Sequence, residues 1–228
     1  PSICYGLRGI CYLQVEIQGP GHDLHSGSFG GAVPNPLNVL VELLAALHDQ
    51  EGRITIPGFY DQVFPLTEEE RQSLAALPFD EEEFQRTTGV PALDGEMGYT
   101  TLERVWGRPT LDVNGILGGF TGEGPKTVIP SLAMAKVSMR LVPDQRPDEI
   151  ADLFEEYLES LCPPTVCMTM KRLHEGRPFL APIDHPIFSA ASRALEQAYG
   201  WPAGFIREGG SIPFVTTISE ALDSLVCW

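Results

Sequence analysis

Apolar residues recur along this chain in two periods, and the switches between them predict most of its elements. Over 10–17 (ICYLQVEI) apolar positions alternate imperfectly with Gln14 and Glu16, which predicts a strand with one wet face. Over 37–48 the period changes. Leu37, Leu40, Val41, Leu44 and Leu47 fall at helical spacing, behind Asn35 as cap and Pro36 as first helical residue. Strand character returns over 110–116 and, with clean alternation, over 133–142. A turn at Pro143-Asp144 leads to an amphipathic helix over 147–161, built on Ile150, Leu153, Phe154, Tyr157, Leu158 and Leu161. Pro163-Pro164 stops that helix, and a further strand is expected over 165–173.

Between 52 and 108 the pattern breaks. Pro57, Pro65, Pro78 and Pro91 divide the segment, while Thr67 before Glu69-Glu70 and Asp80 before Glu83 are helix-start signatures. The reading is an irregular insertion with short helices over 68–76, 81–87 and 100–106, held to the body by Tyr60, Phe64 and Phe79. Residues 10–173 therefore run β-α-(insertion)-β-β-α-β. That is the ferredoxin-like order, an antiparallel sheet with two helices on one face. After it come a helix over 185–199, a strand over 204–207, a helix over 212–222 and a strand over 225–228, an alternation that belongs to an α/β layer. The boundary between the two parts falls within 173–182.

Composition narrows the classes open to the chain. Its 228 residues suffice for a sizeable core, and a net charge of −16 argues against nucleic-acid partners, whose phosphates such a surface repels. Five scattered cysteines without a C-x-x-C pair suit a reducing cytoplasm better than a disulfide framework. No apolar run approaches membrane-spanning length, so no membrane partner is expected. The apolar end, Leu225-Val-Cys-Trp228, suggests a piece of a longer polypeptide.

Candidate chemistry gathers in two glycine-rich loops and two short motifs. The loop over 19–36 holds five glycines up to Gly31, which implies positive φ or close backbone approach, and it carries His22, Asp23, His25 and Ser26. These are residue types of a metal site or of a nucleophile with its base. One nearby carboxylate falls short of a tetrahedral zinc set, however, and nothing visibly orients His25 toward Ser26. In the loop over 118–127, Pro125 splits the Gly-Lys pair a phosphate loop needs, so nucleotide binding is rejected. Arg140 lies on the polar face of its strand, where it is solvated, salt-bridged or a fork for a carboxylate. Gly209-Gly210-Ser211 precedes a helix and offers backbone N–H groups to an anion, or is simply a turn capped by Ser211.

Taken together, Gly21-His-Asp-Leu-His-Ser-Gly-Ser-Phe-Gly-Gly31, Leu111-Asp-Val-Asn-Gly-Ile116, Gly122-Glu-Gly-Pro-Lys-Thr-Val-Ile-Pro130, Ser138-Met-Arg-Leu-Val-Pro-Asp-Gln145 and Arg207-Glu-Gly-Gly-Ser-Ile-Pro213 resemble the carnosinase and cytosolic non-specific dipeptidase group. This group belongs to the dizinc superfamily of aminoacylases, acetylornithine deacetylases and succinyl-diaminopimelate desuccinylases. The resemblance implies an α+β chain: a ferredoxin-like lid and dimerisation domain over 8–175, with its insertion at about 52–108, then a fragment of the α/β catalytic domain over 182–228. It implies a parent enzyme that hydrolyses a peptide bond beside a free C-terminal carboxylate, using two divalent metal ions, zinc or manganese, and forming a homodimer through the lid. Under it, His25 stabilises the oxyanion in the partner's active site, Thr127 reaches across with it, Arg140 grips the substrate carboxylate, and Gly210 and Ser211 contact the same end. The family's metal-ligand motifs are missing here, and His185 in Asp184-His-Pro matches none of them, so no metal and no activity are expected of this chain alone. The rivals are a non-catalytic ferredoxin-like module for dimerisation or amino-acid binding, and a stand-alone hydrolase using His22, Asp23 and His25.

Overall fold

The computed structural model describes residues 1–222, so the strand expected over 225–228 lies outside them. The chain opens with a strand that periodicity does not predict, β1 (Ser2–Leu7). It then runs through β2 (Gly9–Gln18), β3 (Leu24–His25), α1 (Ser26–Phe29), α2 (Pro36–Ala45), α3 (Glu68–Ala75) and α4 (Glu81–Thr88). A π-helical turn, Glu103–Gly107, leads to β4 (Thr110–Gly118), β5 (Val128–Ile129), β6 (Leu132–Leu141), α5 (Pro147–Leu161) and β7 (Cys167–Gly176). The rest is β8 (Phe179–Leu180), α6 (Pro186–Tyr199), β9 (Gly204–Glu208) and α7 (Pro213–Leu222).

Four strands pair in the order β4-β6-β2-β7, every pair antiparallel, with ten partners in register between β2 and β6 from Gly9↔Leu141 to Gln18↔Leu132. That is the ferredoxin-like arrangement. Alternation decides which face is dry: Cys11, Leu13, Val15 and Ile17 of β2 and Ala133, Ala135, Val137, Met139 and Leu141 of β6 are buried. Val39, Leu40 and Leu43 of α2 and Ile150, Ala151, Phe154 and Leu158 of α5 cover them from one side. The second sheet, β8-β1-β9, sets β1 parallel to β9 and antiparallel to β8, with Phe188 of α6 buried against Ile3, Tyr5 and Leu7.

The chain passes between the sheets twice, at Leu7-Arg8-Gly9 and at Gly176-Arg177-Pro178, and the crossings touch. A Cβ on Gly9 would stand 2.7 Å from the carbonyl oxygen of Gly176. Only glycine permits that approach.

The insertion is held by polar bolts more than by the aromatics the sequence suggests. Phe64 is 69% exposed and anchors nothing, whereas its neighbour Phe59 is 1% exposed in the main core. Tyr60 does pack against the core, and its hydroxyl accepts from Ile54 N–H. Phe79 stays partly open and leans on Phe84. Gln145, buried, accepts from Val142 N–H and donates to Phe59 O at 2.9 Å. Glu70 of α3 pairs with Arg207 of β9 and accepts from Tyr5 Oη, tying the insertion to the second sheet. Burial pushes that Tyr5 hydroxyl up to about 12, Glu70 adding to the effect and Arg207 opposing it.

Candidate functional site

The first glycine loop is more ordered than a free loop. Its residues Leu24 and His25 pair as β3 with Ile129 and Val128 of β5, Ser26 N–H donates to Thr127 O, and Asp23 Oδ1 accepts from Ser131 N–H at 2.9 Å. Asp23 is thus a brace for the loop, and His22 stands exposed beside it. Of the five glycines only Gly31 takes positive φ, while Gly19, Gly27 and Gly30 are required by close approach. Gly27 matters most, because a Cβ there would meet the His25 ring at 2.8 Å.

That ring is oriented by two hydrogen bonds. Nδ1 accepts from Gly27 N–H at 3.0 Å, and Nε2 lies 3.1 Å from Thr127 Oγ1. A neutral imidazole that accepts at Nδ1 carries its proton on Nε2, so His25 presents an N–H donor on an exposed rim with the Thr127 hydroxyl beside it.

A second polar pair joins the two sheets. Arg140 Nη1, from β6, donates to Ser211 Oγ at 2.8 Å, and Ser211 Oγ donates to Gly9 O at 2.9 Å. Arg8, which sequence reasoning passes over, lies behind them. Its backbone N–H donates to Glu208 O at 3.3 Å and its Nε to Gly209 O at 2.9 Å. Burial pulls the Arg8 guanidinium down to about 10, with Arg140 adding to the effect and Asp112 and Glu208 opposing it. Arg8 remains charged at neutral pH. Among the described residues, no carboxylate forms a salt bridge with either arginine.

The structure unites His25 with Thr127 and Arg140 with Ser211, but it keeps the two pairs apart. The braced loop adjoins the start of β6 through Ser131, and Arg140 stands near its end. The intervening run of strand spans about 26 Å at roughly 3.3 Å per residue. Two cavities open elsewhere on the molecule. The larger, about 1380 Å³, lies between the insertion and β9, is lined by residues such as Phe79, Trp106, Ile183 and Trp201, and shares no residue with either pair. A polar cleft of about 750 Å³ opens beside Arg8, Arg108 and Asp112. Among the described residues, no group of three or more His, Cys, Asp and Glu is placed to hold a metal ion. None of the helices searched is long and apolar enough to cross a membrane.

An antiparallel sheet under two helices, joined twice to a second α/β layer and carrying an organised polar pair toward each end, defines an α+β module. The chain belongs to the M20 peptidase dimerisation-domain family, whose model, described as "Peptidase dimerisation domain", matches residues 5–166. It is 37% identical over 230 residues to the Cys-Gly metallodipeptidase DUG1 of Saccharomyces cerevisiae, covering 99% of this chain and 48% of that protein. It is 36% identical over 233 residues to human Beta-Ala-His dipeptidase, covering 99% of this chain and 45% of that one. Among solved structures, the M20 metallo-carboxypeptidase Sso-CP2 of Sulfolobus solfataricus superposes with a TM-score of 0.88 at 29% identity, over 98% of this chain and 57% of that one. The chain spans about half the length of the relatives it matches.

Proposed function

We propose that residues 8–175 are the lid and dimerisation domain, and residues 182–228 part of the α/β catalytic domain, of a metal-dependent dipeptidase that cleaves a peptide bond next to a free carboxylate. The observation that carries this reading is the separation of the two polar pairs. A dipeptide is about 7 Å long at roughly 3.5 Å per residue. His25 and Arg140 of one chain, with most of β6 between them, therefore serve different substrate molecules. They serve the same one only if His25 comes from a second subunit.

The open edge of the sheet supports that arrangement. Among the described residues β4 has no partner on its outer side, and Val113, Ile116 (51%) and Leu117 (62%) along it are exposed. Two copies joined antiparallel along β4 about a two-fold near Asn114 set Thr110 of one beside Gly118 of the other. Thr110 pairs with Arg140, and Gly118 pairs with Ala133 close to the braced loop, so the partner's oxyanion donor comes to this chain's carboxylate end. Ile116→Arg with Leu117→Arg is expected to convert a homodimer to monomer in sedimentation equilibrium; an unchanged mass would exclude this edge.

At the site, His25 Nε2–H, which donates to Thr127 Oγ1 in the free chain, turns to the oxygen that gains charge as the scissile carbonyl is attacked. Arg140, Ser211 and Gly210 N–H bind the substrate carboxylate. The residues described here do not fit a metal centre, so the reading assigns two divalent ions, zinc or manganese, to the rest of the complete protein. The thiols of Cys4, Cys11, Cys162 and Cys167 are free, in keeping with a cytoplasmic setting. In a complete protein carrying this chain, dipeptides are expected to be turned over and their C-terminal amides to lose at least about tenfold in kcat/KM, as loss of a charge-assisted contact demands. Equal turnover of acid and amide would overturn the carboxylate assignment.

A further inference from the structure

The loop that carries Gly210 and Ser211 is held from behind by one residue pair, Arg8-Gly9, at the first crossing between the sheets. Arg8 takes the carbonyls of Glu208 and Gly209 with its backbone N–H and its Nε, and Gly9 offers its own carbonyl to Ser211 Oγ. Gly209 is wedged there: a Cβ on it would lie 2.8 Å from Val105 O and 3.1 Å from Arg8 Nη2. In a planar trans peptide the C=O and the following N–H point in opposite directions. With the Gly209 carbonyl drawn onto Arg8, the N–H of Gly210 is aimed away from it. Gly209 N–H itself is taken by the Glu208 carboxylate at 3.0 Å and cannot serve the same ligand.

We infer that Arg8 is a positioning residue of the carboxylate site: by gripping the Gly209 carbonyl through Nε it sets the direction of the Gly210 N–H and the seat of Ser211, and does not itself bind substrate. This rests on the reading of Arg140, Gly210 and Ser211 as the carboxylate end of the site. The side chains that could replace Arg8 separate position from charge. Glutamine places Nε2 the same number of bonds from Cα as arginine Nε, so Arg8→Gln keeps the donor to Gly209 and loses the charge. Arg8→Lys keeps the charge and carries its donor one atom too far. Arg8→Met removes both.

The test is titration of the 228-residue chain with N-acetylalanine and with N-acetylalaninamide, followed by NMR, which also reports whether each variant is folded. The wild type is expected to prefer the carboxylate by about tenfold or more, the usual worth of a charged hydrogen bond. Arg8→Gln is expected to stay within about threefold of it, while Arg8→Met and Arg8→Lys lose about tenfold for the carboxylate and nothing for the amide. Where Arg8→Met does not fold, the Gln and Lys variants decide. Retention by Lys and loss by Gln would show that Arg8 acts by charge and overturn the inference, as would variants that all bind like the wild type. Arg140→Met separates the two levels. If it leaves the carboxylate preference unchanged, or if the wild type shows none, the carboxylate reading fails and takes this inference with it. If it abolishes the preference while Arg8 variants do nothing, only the role of Arg8 is lost.

Discussion

In a catalytically complete protein carrying this chain, His25→Ala lowers kcat by about 10²- to 10³-fold and changes KM by less than about threefold, the pattern of a donor that works only in the transition state. The reason lies in the ring's two hydrogen bonds. Gly27 N–H fixes the proton on Nε2, and on the exposed rim that proton goes to the neutral Thr127 hydroxyl, a weaker acceptor than an oxyanion. A carbonyl oxygen gains little from such a donor; an oxyanion gains much. Steady-state kinetics on the purified variant checks this, and an unchanged kcat would remove His25 from the chemistry.

The largest effect expected on stability belongs to Arg108→Ala, at about 3–5 kcal/mol, because it leaves Glu96 charged and buried without its partner. The two side chains are each 6% exposed and meet through two bonds of 2.7 Å. The Tyr60 and Tyr99 rings flank the guanidinium at 5.3 and 4.3 Å. Burial alone pulls the Arg108 guanidinium down, yet the hydrogen bonds and charge of Glu96 more than reverse this and hold it above its ordinary value. Urea unfolding of the single variant should show the loss. Replacing both partners by Leu and Met should recover most of it, since neither charge then stays unpaired. A single variant as stable as the wild type would mean that water reaches Glu96.

Those elements of the first sheet and its helices that keep one period over a long run are legible in the sequence: alternation in β2 and β6, helical spacing in α2 and α5, proline stops between them. β1 is not, because five of its six residues are buried and so leave no alternation, and its partners β8 and β9 lie far along the chain. The insertion's helices show through their caps, Thr67 and Asp80, each of which accepts from the N–H three residues on. Its packing does not show. Between Phe59 and Phe64 local sequence holds nothing to say which is buried, since burial depends on where α5 and Gln145 bring the core. Of the site, the motif residues His25, Thr127, Arg140 and Ser211 are visible as residue types. Their pairing is not, because it needs contacts across 102 and 71 residues. Arg8 is the plainest case: a lone arginine between two strands has no signature until Gly209, 201 residues away, is seen against it.

One active site built from two copies of this chain is what the proposed function requires. Subunit mixing tests it most directly. Two variants of the complete protein are prepared, one with His25→Ala and one with its metal centre disabled, and each is nearly inactive alone. Mixed under random exchange of subunits, they are expected to recover about a quarter of wild-type activity, because half of the dimers then hold one intact site out of two. Mixtures no more active than the separate variants would show that His25 serves its own subunit, and would contradict the account.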